Sequence, residues 1–281
     1  MHVALKLAIS PLLVAQAVQT RRRALVLPEA AGARQGRLGA DRAAEPNSAP
    51  APALRLLVAG DSSAAGVGVD RQDRAFIGHL VRSLHARLGV PVEWTLHART
   101  GLTTRGVHRL LEESAPGPAD VAVIVSGVND VIDQLPVRRA LAHRAALAAW
   151  VLERGLARHV VFAPLPPIDR FPLLPPLLRR VLGADARRHD AAQAEWARHR
   201  VAVTHASFDV ELSAATMAED GFHPGEPVYR ACGEAIAAHV ERTVWPRLAA
   251  AVDNAGMPRT PDAARGRQAS EPGASSSQER T

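Results

Sequence analysis

The first thing this chain lacks is a partner for its cysteine. Cys232 stands alone in 281 residues, which excludes an intrachain disulfide and a thiolate metal cluster and leaves the redox compartment open. Aromatic residues are scarce, with five Phe, four Trp and one Tyr, too few to build the stacking platforms that seat nucleic-acid bases. The twelve histidines are scattered without an HxH pair or an HExxH sequence, so no metal is expected. No Gly-Lys-Ser/Thr and no GxGxxG stands at a strand exit, which excludes the phosphate-cradling fingerprints. No cofactor is expected.

What is present fits a globular protein: 47% hydrophobic and 22% charged residues. A net charge of +6 and a pI near 10.9 would normally raise nucleic acid or an anionic membrane as partners. The excess is concentrated, however, in residues 1–50, where Lys6 and six arginines face only Glu29, Asp41 and Glu45. The remainder is nearly balanced, and no nucleic-acid partner is expected.

Residues 3–18 are apolar but interrupted by Lys6 and Pro11, and they fall short of the roughly 17–25 residues a spanning helix needs. Two readings stand. The segment is either a helix docked on the domain or resting on an anionic membrane through residues 3–23, or a signal h-region with Ala15-Gln16-Ala17 as its cleavage pattern. Arg21-Arg22-Arg23 directly after that site opposes export. A cytoplasmic location, or a peripheral one at the inner membrane face, is therefore favoured, with export as the alternative. Residues 29–53, rich in Ala, Gly, Pro and Arg without periodicity, read as a linker, and residues 258–281 as a disordered tail. The expected division is thus a basic N-terminal segment and linker (1–50), a main folded domain (51–250) and a C-terminal tail (251–281).

Between the ends, short apolar runs alternate with longer amphipathic stretches, the pattern of βα units and a parallel sheet. The predicted strands are Leu54–Ala59, Val92–Ala98, Val121–Ser126, His159–Ala163 and Val201–His205. The predicted helices are Ala75–Leu88, Thr103–Glu113, Val137–Leu156, Leu177–Arg198 and Pro227–Trp245. In such a sheet ligands bind beyond the carboxyl ends of the strands, so the polar residues that follow each strand are the candidates for chemistry.

Gly60-Asp61-Ser62-Ser63 follows the first predicted strand, where a serine hydroxyl can face an anion-receiving backbone. Position 64 is alanine, so the GxSxG elbow is absent. Gly101 follows the second strand, where a glycine allows close backbone approach to a substrate oxygen. Gly127-Val128-Asn129-Asp130 follows the third, and an asparagine amide can donate to an oxyanion. Asp220-Gly221-Phe222-His223-Pro224 follows the last, supplying a base and a carboxylate three residues apart. Each block alone is an ordinary turn or helix cap. Their order, converging on one edge of one sheet, points to hydrolysis by an activated serine.

These four blocks, GDSS, the Gly101 block, GVND and DGFHP, resemble the consensus blocks of the SGNH/GDSL hydrolases over about Leu54 to Val244, and the bacterial lysophospholipase/thioesterase branch in particular. The resemblance implies a three-layer αβα sandwich with a five-stranded parallel sheet, the flavodoxin-like SGNH fold. It also implies that Ser62 is the nucleophile, His223 the base and acid, and Asp220 the residue that orients it. The N–H groups of Ser62 and Gly101 and the Asn129 amide would bind the oxyanion. Ser63 stands where GDSL has leucine, and is expected to cap a following helix.

The activity implied is that of an esterase or thioesterase acting on small-molecule acyl esters, lipid-like or lysophospholipid. A carbohydrate O-acetyl esterase with the same triad is the alternative, and an inactive binding module a more remote one. The proline-rich run from Pro164 to Leu178 prevents a regular helix before Leu177. It places Ile168, Phe171 and Leu174 on a stiff loop, where they either line an acyl pocket or seal the core beneath it.

Overall fold

The computed structural model describes residues 10–39 and 53–256; the apolar residues 3–9, residues 40–52 of the expected linker and the tail from 257 lie outside the described residues. Six strands form one sheet: β1 (Gln35–Leu38), β2 (Leu54–Gly60), β3 (Val92–Ala98), β4 (Val121–Val125), β5 (His159–Phe162) and β6 (Val203–His205), in the order β1-β3-β2-β4-β5-β6. The five expected strands are parallel and follow the doubly wound order of flavodoxin-like sheets. The sixth, β1, pairs antiparallel with β3, Gln35 opposite Thr95 and Leu38 opposite Val92.

Alternation along the strands assigns the two faces. Leu56 and Val58 of β2, with Val121 and Val123 of β4, pack on one side against α2 (Phe76–Leu88) and α7 (Glu226–His239). Leu57, Ala59, Ala122 and Ile124 point to the other, against α3 (Thr104–Ser114), α5 (Val137–Glu153) and the end of α6 (Pro176–Arg198). Central strands buried on both faces explain the near-continuous Val/Leu runs seen in the sequence. A short helix, α4 (Val128–Ile132), lies between β4 and α5. After α7 the chain passes through one π-helical turn, Val240–Val244, into α8 (Trp245–Gly256), so helix runs into the region expected to be tail.

The linker reading of residues 29–53 is corrected where the chain is described. Ala30 is buried, its N–H donates to Ala65 O, and Ala31 exchanges backbone bonds with Asp70 and Gln72. Backbone hydrogen bonds hold this segment of low hydrophobicity, and periodicity does not reveal them. Ahead of it, α1 (Ser10–Arg23) has no buried residue. Leu13 touches the apolar cluster that includes Ile168, Phe171 and Leu174, and Gln16 Oε1 accepts from Leu178 N at 3.2 Å, satisfying an N–H at the start of α6. Among the described residues no helix is long and apolar enough to cross a membrane.

Candidate active site

The carboxyl ends of β2, β3 and β4 are tied together before any side chain enters. Asp61 N donates to Val125 O at 3.0 Å and Arg99 N to Gly60 O at 3.3 Å. Ser62, 8% exposed, stands directly beyond β2 in a run of turns, and no helix begins before Phe76. Ser63 therefore caps no helix, contrary to expectation; its N–H is instead taken by Asp61 Oδ1 at 3.0 Å.

His223 arrives from the opposite end of the chain, on the loop before α7. Tyr229, in the first turns of that helix, donates its hydroxyl to Val67 O at 2.6 Å and so joins the His223 loop to the Ser62 turn. His223 Nε2 lies 3.0 Å from Ser62 Oγ, and its Nδ1 lies 2.6 Å from Asp220 Oδ2. Asp220 Oδ1 also accepts the backbone N–H groups of Phe222 and His223, each at 2.9 Å. Burial works to raise the Asp220 pKa, but the His223 ring and these two N–H donors outweigh it and hold the carboxyl below its usual range. Asp220 is thus an anion fixed against Nδ1, which sets the tautomer that leaves Nε2 open to the serine proton.

The expected oxyanion donors lie on the turn after β2 (Ser62), the loop after β3 (Gly101) and the first turn of α4 after β4 (Asn129). Gly101 has φ +80°, a conformation open to glycine. Beside it, Thr100 donates both its N–H and its hydroxyl to Glu29 Oε1, at 2.6 and 2.8 Å. The segment read as linker thus holds the Gly101 loop. Asn129 Nδ2 donates to Leu102 O at 2.9 Å, which fixes the amide and leaves its second N–H available. Among the described residues, neither the Ser62 nor the Gly101 N–H has a partner within the protein.

A cavity of about 110 Å³ opens beside Ser62 and His223. Of Ile168, Phe171 and Leu174, the three residues expected on the proline-rich loop, Phe171 lines this cavity. Ile168 and Leu174 are buried in the packed cluster, to which Phe171 also belongs, and do not line the cavity. Phe171 meets Phe222 edge-on, with ring centroids 5.1 Å apart, and Phe222 meets His223 the same way. Leu165, Phe208, Val210, Leu212 and Met217 add to the apolar wall. Sequence reasoning missed this segment after β6, although its signal was there in the alternation Phe208, Val210, Leu212. Cys232 also lines the cavity, and burial pushes its thiol up to about 12.

A doubly wound sheet carrying a serine on an imidazole at its carboxyl edge, beside an apolar cavity, defines an α/β enzyme that hydrolyses esters. The chain belongs to the GDSL-like lipase/acylhydrolase family, which it matches over residues 58–231. Similar solved structures include the lipase Lip_vut3 from a goat rumen metagenome, at 18% identity over 68% of this chain and 98% of that one, with a TM-score of 0.51. The psychrotrophic esterase EstA from Pseudoalteromonas sp. aligns at 17% identity over 69% and 98%, with a TM-score of 0.51. A family 3 carbohydrate esterase from Clostridium thermocellum aligns at 14% over 71% and 99%, with a TM-score of 0.52. At these identities the likeness is one of fold. No curated protein matches the chain in sequence.

Proposed function

We propose that the chain hydrolyses medium-chain acyl esters or thioesters, with Ser62, His223 and Asp220 as its triad. The carrying observation is the Ser62 Oγ to His223 Nε2 contact of 3.0 Å at the mouth of an apolar cavity. In the first half-reaction His223 Nε2 takes the Ser62 proton as Oγ attacks the acyl carbon, and the carbonyl becomes an oxyanion. The N–H groups of Ser62 and Gly101 and the Asn129 amide receive that charge. The imidazolium, stabilised by Asp220, returns the proton to the departing alcohol or thiol, leaving Ser62 acylated. Water, deprotonated by the same imidazole, then attacks the acyl-serine, and collapse releases the acid and restores the Ser62 hydroxyl.

Two further features belong to this reading. The aliphatic and phenylalanine lining suits an acyl chain better than a sugar ring, which favours lipid-like esters over the carbohydrate O-acetyl esters of the alternative. The exposed face of α1, with its three arginines, docks on an anionic lipid surface, the source of such substrates.

The test is a series of p-nitrophenyl esters from acetate to dodecanoate. Each methylene buried in the cavity is worth about 0.8 kcal/mol, so kcat/KM rises several-fold per two carbons and peaks at roughly six to ten. Phe171→Ala flattens the profile, and Ser62→Ala abolishes both turnover and labelling by a fluorophosphonate. Best activity on acetate, with a profile insensitive to Phe171→Ala, would give the place to the carbohydrate deacetylase.

A further inference from the structure

Arg144 is among the largest side chains that the fold buries completely. It stands on α5 with 1% exposure, against Gly127, the residue just before α4 and Asn129. A Cβ placed on Gly127 would lie 2.4 Å from Arg144 Nη2, so the guanidinium fills the space that any other residue at 127 would need. Among the described residues its one ion pair is with Asp130, Nη2 to Oδ2 at 3.4 Å, and Asp130 is fully buried; Asp190 acts on it from farther off. Among the described residues, Arg144 Nε and Nη2 find no hydrogen-bond acceptor.

Asp130 is in turn bound forward. Its Oδ1 accepts Thr104 N at 3.0 Å and its Oδ2 accepts the Thr104 hydroxyl at 2.6 Å, while that hydroxyl also meets Ser126 Oγ at 3.1 Å. The neighbouring Asn129 amide bonds Leu102 O. Asn129 and Asp130, adjacent in α4, therefore hold Leu102 and Thr104 on either side of Thr103, just after Gly101. Removing one partner of a buried ion pair leaves the other charge uncompensated, whereas replacing both by uncharged groups is often harmless to stability. An under-bonded buried arginine is thus poorly explained by stability alone. Its position against Gly127 and Asp130 gives it a task that a hydrocarbon cannot perform.

We propose that Arg144 is a positioning residue of the oxyanion site: its buried cation, lodged behind Gly127 and paired with Asp130, fixes the first turn of α4, which carries Asn129, against the Gly101 loop. The proposal rests on the esterase reading above, and assigns Arg144 no contact with substrate.

The experiment compares wild type, Arg144→Met, Arg144→Lys, Arg144→Met/Asp130→Asn, Asn129→Ala and Arg144→Met/Asn129→Ala. Thermal melting, kcat and KM on p-nitrophenyl octanoate, and amide hydrogen exchange over residues 100–104 and 127–132 are recorded for each. Asn129→Ala marks the full loss, roughly 10²–10³-fold in kcat. Arg144→Met is expected to lower kcat about tenfold to a hundredfold with KM nearly unchanged, and to speed exchange in those two segments. Pairing it with Asp130→Asn restores the melting temperature without restoring kcat. Adding it to Asn129→Ala lowers kcat by less than about twofold more, the non-additivity of residues that act through one another.

The proposal is overturned if Arg144→Met/Asp130→Asn returns kcat to wild type, if Arg144→Met and Asn129→Ala multiply independently, or if exchange in the two segments is unmoved. Should Arg144→Met fail to fold, Arg144→Lys, which keeps charge but not the planar fork, and the neutral pair carry the comparison. Ester turnover by Ser62→Ala would overturn the triad reading instead, and leaves the exchange measurement as the judge of Arg144.

Discussion

At the scale of single residues, the site shifts two buried carboxyls in opposite directions. Asp220 is held below its ordinary range by the donors around it. Asp61, buried beside Ser62 with one backbone donor on Oδ1, is pushed up to about 7 by burial. An unfolded aspartate titrates near 3.9, so between about pH 4 and 7 the folded chain keeps a proton that the unfolded chain has released. Stability consequently falls as pH rises through that window and levels off above it. Asp61→Asn retains the bond from Ser63 N and removes this titration. Its melting temperature should match wild type near pH 4 and exceed it by at least about 3 °C at pH 8, given roughly 2–4 °C per kcal/mol for a domain of this size. Parallel melting curves across pH 4–8 would show that Asp61 stays ionised in the fold.

At the scale of elements, the segment from Glu29 to Leu38 does more than its composition suggests. It adds β1 to the sheet, inserts Ala30 beside the Ser62 turn, and offers Glu29 to Thr100 and Arg34 Nη1 to Ala98 O at 2.6 Å. The Ser62 turn and the Gly101 loop are therefore held by one strap. Burial alone would raise the Glu29 pKa, yet Thr100 and Arg34 pull it below its usual range. The strap's carboxylate contribution is accordingly full above the unfolded value of about 4.3 and is lost as pH falls through the lower folded one. Glu29→Ala should lower kcat several-fold at pH 7 and slow fluorophosphonate labelling of Ser62, with little change in KM. Unaltered labelling would mean that the Gly101 loop holds its shape unaided.

This strap also marks where the sequence stops being legible. The five parallel strands and the blocks at Ser62, Gly101, Asn129 and His223 could be read because burial on two faces and short polar motifs leave periodic or local signals. Helix ends came within a few residues for Phe76–Leu88 and Pro176–Arg198. β1 has four residues, QGRL, paired only at the sheet edge, so hydrophobic alternation has nothing to register. Ile168 and Leu174 could not be separated from Phe171, because which side of an irregular loop faces a cavity is settled by tertiary packing. Arg144 lay unnoticed in a helix whose other arginines face solvent, since burial of a charge is invisible until its partner Asp130 is placed.

For the whole molecule, the asymmetry of the surface gives the last prediction. Of seven large hydrophobic residues exposed among the described residues, five lie on or just after α1: Leu12, Val14, Val18, Leu25 and Val26. The helix touches the domain along Leu13 and Gln16, which leaves Val14 and Val18 on its outer side, and Arg21, Arg22 and Arg23 close its last turn. An anionic bilayer satisfies both halves of that face, taking the aliphatic side chains at the acyl boundary and the guanidinium groups at the phosphates. Each arginine near such a surface contributes about 1 kcal/mol, so three together are worth roughly a hundredfold in affinity. The protein should sediment with phosphatidylglycerol vesicles and not with phosphatidylcholine vesicles, and less so as salt screens the charges. Replacing the three arginines by glutamine should reduce binding about a hundredfold, and Val14→Ser with Val18→Ser should weaken it further. Hydrolysis of soluble p-nitrophenyl butyrate should be unaffected by either set, because none of these residues lines the cavity. Equal binding to both vesicle types, or a stable dimer in solution that the valine substitutions dissociate, would assign the exposed face of α1 to something other than a membrane.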